Sequence, residues 1–105
     1  MTDALLYEQD GSIVTLTMNR PDLRNPISET DMIDAFEAAV HRINGDASVR
    51  VVILTGAGSA FSSGGNVKHM RDRTGMFGGS PTQIRNGYRH GIQRIPRAMW
   101  ELEVP

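Results

Sequence analysis

The chain has 105 residues, of which 39% are apolar, and a net charge of −1, a composition that predicts one soluble globular domain or part of one. This charge gives no reason to expect nucleic acid or an anionic membrane as a partner, and the lack of cysteine excludes disulfides, thiolate catalysis and zinc–sulfur sites. The N-terminus has no signal-peptide character, and no apolar run approaches the roughly 20 residues that span a bilayer. We therefore expect a cytoplasmic protein.

Two β-strands are predicted first, over residues 4–8 and 12–18, joined as a hairpin at Asp10-Gly11. The second strand alternates apolar residues with threonines, which indicates one buried face. Residues 19–27, here called the first loop, contain two prolines and two asparagines, which argue against regular structure.

A helix is predicted from Ser28, because the run SETD at residues 28–31 resembles a capping box with Asp in place of the usual Glu. Asn44-Gly45 is predicted to end this helix. Its apolar residues recur at helical spacing, so we expect one face to point into the core. That face consists of Met32, Phe36, Ala39, Val40 and Ile43.

The run VVIL at residues 51–54 predicts a strand that is buried on both faces. Residues 56–65, here called the glycine loop, follow it and lead into a predicted helix start at residues 66–70. Four glycines let the backbone adopt positive φ and let a ligand lie against the main chain. Because the first amides of a helix have no partner within it, the loop is suited to hold a negatively charged ligand oxygen, as half of an oxyanion hole. The glycines are Gly56, Gly58, Gly64 and Gly65.

Other interpretations of the glycine loop compete with this one. A strand, a glycine turn and a helix also form a common structural connection without any ligand. A dinucleotide fingerprint is incomplete, because Phe61 stands where its third glycine belongs, and no P-loop motif occurs. Ser62 and Ser63 do not fit a nucleophile elbow and are predicted to form turns.

Residues 71–82 are predicted to be a flexible loop. Its large residues Met76 and Phe77 are equally compatible with covering an apolar ligand, anchoring the loop or contacting another subunit. A helical pattern returns from Gln83, and Pro96 should kink it or start a new turn. Residues 101–105 resemble the beginning of a strand. The apolar face of the helical pattern consists of Ile84, Tyr88, Ile92, Ile95 and Met99.

The histidines at positions 41, 69 and 90 lack metal-ligand spacing, so no metal site is predicted. Each is expected either at the surface or as a supporting residue next to a site. The arginines of the C-terminal helical pattern are predicted to form its solvated face, with phosphate contact as the alternative. These arginines are Arg85, Arg89, Arg94 and Arg97.

Two motifs carry a family resemblance when they are taken together. The first is NRP at residues 19–21 followed by RNPIS at residues 24–28, and the second is VVILTG at residues 51–56 followed by AFSSGGNVK at residues 60–68. In order and spacing they closely resemble the enoyl-CoA hydratase/isomerase (crotonase) family, over essentially all 105 residues. The resemblance implies an α/β fold, a spiral of ββα units, of which residues 1–105 would form the N-terminal part.

The same resemblance implies an acyl-CoA thioester substrate, with coenzyme A as part of the substrate and no permanently bound cofactor. It also implies a homotrimer or hexamer. Gly65 would donate its backbone N–H to the thioester oxygen, and Arg24 is the plausible phosphate partner by charge. The implied substrate-binding positions are Leu23, Arg24 and Pro26 in the first loop, and Ala60, Ser63, Gly64, Gly65, Asn66 and Val67 in and after the glycine loop.

The chain departs from the family pattern at Asn66, where members commonly have Asp; the amide keeps the hydrogen-bonding shape without the charge. The second oxyanion glycine and the acid/base carboxylates of the family are expected beyond Pro105, and Glu101 and Glu103 match neither. Enoyl-CoA hydratase is the leading expectation. The alternatives are an isomerase, hydrolase, dehalogenase or decarboxylase of the family, or a non-catalytic CoA-binding or assembly fragment.

Overall fold

The computed structural model describes residues 3–105, in which three β-strands form one mixed sheet. Strands β1 (Leu5–Asp10) and β2 (Ile13–Met18) are antiparallel, and β3 (Val51–Gly56) pairs with β2 in parallel. A parallel pair needs a crossover connection, which helix α1 (Thr30–Asn44) supplies. The ββα unit expected from the sequence is therefore present and is followed by the third strand.

Three shorter helices and two 3-10 turns complete the described chain. Among residues 3–105, none of the helices combines the length and apolar character that a bilayer crossing requires. The N-terminal segment predicted to lack signal-peptide character includes residues 1 and 2, which lie outside the described residues. The shorter helices are α2 (Val67–Asp72), α3 (Pro81–Arg89) and α4 (Arg94–Trp100), and the 3-10 turns are Pro21–Leu23 and Gly75–Phe77.

The predicted hairpin is confirmed, but its turn lies one residue later than expected. Asp10 still belongs to β1 and pairs with Ile13, so the two turn residues are Gly11 and Ser12. Gly11 has a φ of +61°, the left-handed conformation that a two-residue hairpin turn requires.

The core lies between β2 and α1, and the predicted inward face of α1 is confirmed. Val14, Leu16 and Met18 alternate along β2 and are buried. They belong to one apolar cluster with residues of α1, and Val40 is buried on the same helix. The α1 members of this cluster are Met32, Ile33, Phe36, Ala39 and Ile43.

Strand β3 is confirmed, but the prediction that both of its faces are buried is wrong. Val52 and Leu54 pack against the core, whereas Ile53 points the other way and is 49% exposed. Successive side chains of a strand alternate between faces, and the described residues cover only one face of β3. At its outer edge, the Val52 N–H donates a backbone hydrogen bond to the Pro105 carbonyl at 2.8 Å.

The capping box predicted at Ser28 is also wrong. Helix α1 begins at Thr30 after Glu29, which makes no side-chain capping bond. The Ser28 hydroxyl instead accepts a hydrogen bond from the backbone N–H of Asn66 at 3.0 Å. A partner 38 positions away therefore replaces the local one that the sequence pattern suggested.

The C-terminal third departs from its prediction mainly at residues 71–82. Helix α3 already begins at Pro81, because Ser80 and Gln83 form a reciprocal capping box. Phe77 is only 5% exposed and meets the Tyr88 ring edge-on at 5.5 Å, which favours the anchoring role among the three alternatives. Pro96 lies in the first turn of α4 after a break at residues 90–93, so it starts a new helix as expected.

Arg94 joins α4 to α1 by charge, so it does not belong to a freely solvated arginine face. Its guanidinium donates to Asp34 Oδ1 at 2.7 Å and to Glu37 Oε2 at 3.1 Å. The hydrogen bond from Arg94 holds the pKa of the Glu37 carboxyl below its ordinary value, against the smaller opposing effect of burial.

This lowered pKa predicts an acid-sensitive contribution to stability. Because the folded pKa of Glu37 is below the unfolded one, the contribution is present above the unfolded pKa and is lost as the pH falls through the folded pKa. We expect the free energy of unfolding of Glu37→Gln, measured by urea titration, to fall less than that of the wild type between about pH 5 and pH 3. Glu8→Gln, at an exposed carboxyl that forms no ion pair with the described residues, is the control and should follow the wild type.

Candidate functional site

Asn25 connects the first loop to the glycine loop. Its side chain is fully buried, and its Oδ1 accepts from the Arg20 N–H at 2.8 Å. Its Nδ2 donates to the carbonyl oxygens of Ala57 and Ala60, each at 3.0 Å. Both amide hydrogens and the amide oxygen are therefore used, as a buried amide requires.

The two loops also meet through their backbones. Ser63 N–H donates to the Arg24 carbonyl at 2.8 Å, and Ile27 N–H donates to the Gly64 carbonyl at 2.9 Å. The Ser62 hydroxyl donates to the Asn25 carbonyl at 2.7 Å and accepts from Gly64 N–H at 3.0 Å. The Ser62 side chain is thus engaged in holding the turn, as predicted, rather than free to attack a substrate.

Gly65 lies between two anchored neighbours. The N–H of Gly64 donates to Ser62, and the N–H of Asn66 donates to Ser28. Within the described part of the chain, the Gly65 N–H has no hydrogen-bond acceptor. This is the property that an oxyanion donor needs, because an amide already paired inside the protein cannot bind a ligand oxygen.

The conformations of the glycines differ in part from the expectation. Gly58 and Gly64 have positive φ angles of 80° and 81°, whereas Gly56 and Gly65 do not. Close packing is the constraint at Gly56, where a Cβ would collide with the Phe61 carbonyl. A Cβ on Gly65 would crowd the terminal methyl of Met70, a flexible side chain that can move aside.

Five of the nine predicted substrate-binding residues line one pocket of about 240 Å³. The other four are not in its lining. Ala60 and Gly64 hold the two loops together through their carbonyls, and Arg24 is exposed outside the pocket. Gly65 is also outside the lining, although Ser63 before it and Asn66 after it in the sequence are part of it. The predicted residues in the pocket lining are Leu23, Pro26, Ser63, Asn66 and Val67.

The same pocket contains Lys68, which sequence reasoning missed as a site residue. Lys68 is the only lysine of the chain and the second residue of α2. The charge of Lys68 beside a predicted ligand loop was the available signal, but only the fold brings it into one pocket lining with Leu23. An ammonium group there can pair with a phosphate.

Asn66 is held on both sides of its amide side chain. Its Oδ1 accepts from the His69 N–H at 3.1 Å, which caps α2, and its Nδ2 lies 3.4 Å from Glu29 Oε1. The same carboxylate oxygen is 3.5 Å from Nδ1 of His69, a half-exposed side chain. His69 therefore faces a carboxylate at the edge of the site and remains near the surface, as expected.

Two other pockets differ in character from this one. The larger, of about 330 Å³ between α1 and α4, is crossed by the Arg94–Glu37 pair and contains none of the predicted site residues. An apolar one of about 240 Å³ lies between the core and residues 61 and 62 of the glycine loop, with Leu54 and Ile95 among its lining. Within residues 3–105, no three acidic or histidine side chains gather into a group that could hold a metal ion.

Comparison with known proteins identifies the family and supports the fold. The model of the enoyl-CoA hydratase/isomerase family matches residues 8–96. The chain is 42% identical over 63 residues to enoyl-CoA hydratase EchA19 of Mycobacterium tuberculosis, covering 60% of this chain and 23% of that relative. The chain therefore belongs to the enoyl-CoA hydratase/isomerase family.

Solved structures extend the comparison to the whole chain. An enoyl-CoA hydratase of Mycobacterium smegmatis has a TM-score of 0.79 and 32% identity, covering 97% of this chain and 37% of that one. An enoyl-CoA hydratase/carnithine racemase of Magnetospirillum magneticum has a TM-score of 0.82 and 25% identity, covering 100% and 38%. The expected crotonase-type α/β fold is confirmed. The chain spans about 30% of the length of the first curated relatives that it matches.

The buried amide of Asn25 generates a prediction about stability. Asn25→Asp keeps the shape and the acceptor for Arg20, but it places a carboxylate against two carbonyl oxygens that lose their donors. We expect the free energy of unfolding to fall by about 2–4 kcal/mol at pH 7. Because burial raises the pKa of such a carboxyl, the penalty should shrink as the pH falls below that raised value.

The matched control for this substitution is Asn86→Asp, at an exposed position of α3. Urea unfolding of the two variants and the wild type at pH 7 and pH 4 measures both effects. Equal stability of the two variants at pH 7 would contradict the role assigned to Asn25.

Proposed function

We propose that the chain forms the part of an enoyl-CoA hydratase that binds an acyl-CoA thioester, with Gly65 donating its backbone N–H to the thioester oxygen. One observation carries the proposal: within residues 3–105 the Gly65 N–H has no acceptor, while the N–H groups on both sides of it are engaged. Membership of the enoyl-CoA hydratase/isomerase family supports the substrate class.

The chemistry explains why a fixed amide is useful here. Polarising a thioester carbonyl towards an enolate places negative charge on its oxygen, and a preorganised donor binds that oxygen more strongly in the transition state than in the ground state. Loss of one such donor typically costs about 2.7–4 kcal/mol of transition-state stabilisation. Hydration also needs carboxylates to deliver water, for which the family resemblance assigns no residue in this chain.

The 240 Å³ pocket is the proposed site for the pantetheine and phosphate portion of coenzyme A. Leu23, Pro26 and Val67 offer apolar contact, and Lys68 offers a positive charge for phosphate. The remaining predicted residues act through their backbone or from the pocket edge. We further propose a cytoplasmic homotrimer or hexamer without a permanently bound cofactor.

A second candidate is a non-catalytic CoA-binding or assembly module. The observation that favours it is that Glu101 and Glu103 do not match the acid/base carboxylates of the family pattern. Loss of crotonyl-CoA absorbance with the longest natural form of the chain supports a hydratase. Binding of CoA by calorimetry together with trimer sedimentation, but without turnover of crotonyl-CoA, supports the module or another reaction of the family.

Gly65→Pro tests the proposed donor, because proline has no N–H. In calorimetry, we expect the wild-type chain to bind acetyl-CoA about 2- to 10-fold more tightly than free CoA. This difference corresponds to one hydrogen bond, which only the thioester oxygen of acetyl-CoA can accept from Gly65. Gly65→Pro should bind the two equally. Gly65→Ala keeps the N–H but crowds Met70, so its affinity should fall for both ligands while the preference remains. A preference retained in a folded Gly65→Pro chain would reject the donor.

Lys68→Gln tests the phosphate end of the pocket. Removal of a partly solvated charge should weaken CoA binding by about 2- to 5-fold at low salt and reduce its salt dependence. Arg24→Gln, just outside the pocket, should have a smaller effect. Arg50→Gln, at an exposed position after α1, is the charge-matched control and should bind as the wild type does. A larger loss from Arg24→Gln than from Lys68→Gln would show that the pocket is assigned wrongly.

A further inference from the structure

Three consecutive residues, from the end of the first loop to the residue before α1, contact the two neighbours of Gly65. The Ile27 N–H donates to the Gly64 carbonyl at 2.9 Å. The Ser28 hydroxyl accepts from the Asn66 N–H at 3.0 Å, and the Glu29 carboxylate faces the Asn66 side-chain amide at 3.4 Å. Residues 27–29 and residues 64–66 therefore contact each other in the same order along the chain.

These contacts fix the two peptide planes that flank Gly65. A peptide unit is planar, so the Gly64 carbonyl and the Gly65 N–H lie in one plane, and the Gly65 carbonyl and the Asn66 N–H lie in the next. Ile27 holds the first plane and Ser28 holds the second. The Gly65 N–H lies in the first plane, and only the two backbone dihedral angles of Gly65 separate this plane from the second. The hydrogen bond to Ser28 therefore also restrains the direction of the Gly65 N–H.

Glu29 extends the same restraint to the Asn66 side chain. The Asn66 amide donates towards Glu29 with its nitrogen and accepts from the His69 N–H with its oxygen. An amide can do both, whereas an ionised carboxylate has no hydrogen to donate. Asp at position 66 would keep the cap on α2 but would place two carboxylates against each other. Asn66 and Glu29 therefore form a matched pair.

We propose that Ser28 and Glu29 are positioning residues that aim the Gly65 N–H, Ser28 through the Asn66 backbone and Glu29 through the Asn66 side chain. This inference rests on the proposed function, in which that N–H binds the thioester oxygen. Neither residue needs to touch the substrate. The Ser28 hydroxyl, which the sequence pattern assigned to a helix cap, is used at the candidate site.

Backbone amide NMR of the ¹⁵N-labelled chain tests the role of Ser28. Without ligand, Ser28→Ala should speed hydrogen exchange of the Asn66 amide about tenfold, because its acceptor is gone. On titration with acetyl-CoA, the shift change of the Gly65 amide should be largely lost in Ser28→Ala and retained in Ser28→Thr, which keeps a hydroxyl. Ser59→Ala is the control, since Ser59 is exposed and its hydroxyl makes no bond to the described residues.

A side-chain exchange tests Glu29 without removing the hydrogen-bonding shape. Asn66→Asp alone should reduce the Gly65 shift response to acetyl-CoA, because the new carboxylate repels Glu29. The double variant Asn66→Asp/Glu29→Gln restores a donor and an acceptor in exchanged positions and should recover the response. Failure of the double variant to recover it, in a folded chain, would overturn the part assigned to Glu29.

The outcomes separate this inference from the proposed function. If the wild-type Gly65 amide shifts equally with acetyl-CoA and free CoA, the proposed donor fails, and positioning of that donor fails with it. If the wild type responds selectively to acetyl-CoA but Ser28→Ala responds equally well, the proposed function stands and the inference is overturned. Should Ser28→Ala fail to fold, the Asn66/Glu29 exchange, which leaves Ser28 in place, decides the matter.

Discussion

The candidate site depends on the burial of a single amide side chain, that of Asn25. It links the first loop to carbonyl groups 32 and 35 positions further along the chain. A buried polar group left without partners costs about 1–3 kcal/mol, so the two loops lose free energy if they separate. The network therefore holds the loops in one arrangement, and the pocket between them exists because of it.

The backbone accommodates this amide at a local conformational cost. Arg24 and Asn25 both have positive φ, 60° and 56°, a region that residues other than glycine rarely adopt. Asparagine tolerates it better than most residues, and arginine does not share that advantage. On the opposite side, Gly56 must lack a side chain because the Phe61 carbonyl lies where its Cβ would be. Strain of this kind persists where surrounding contacts determine the geometry, and it is frequent at binding sites.

Periodicity predicted the parts of the fold that depend on local pattern. The inward face of α1, the hairpin and β3 followed from apolar spacing, since burial of one helix face or strand face leaves a repeat in the sequence. Partners distant in sequence leave no such repeat. By sequence alone, the Ser28 hydroxyl fits a local helix cap as well as it fits its actual partner, Asn66. Ile53 is exposed because the described residues cover only one face of β3. The glycine loop was found by composition, whereas the role of Asn25 and the place of Lys68 required the fold.

The start of α1 shows how core and site are joined. A side-chain cap at a helix N-terminus contributes about 1 kcal/mol, yet the Glu29 side chain makes no such cap here and the adjacent hydroxyl bonds to Asn66 instead. Natural sequences break local rules of this kind mainly where function imposes another requirement. Two turns further along, the same helix inserts Phe36 into the core. Since a helix is rigid over that distance, packing of the core fixes where residues 28 and 29 stand, and through them the backbone around Gly65.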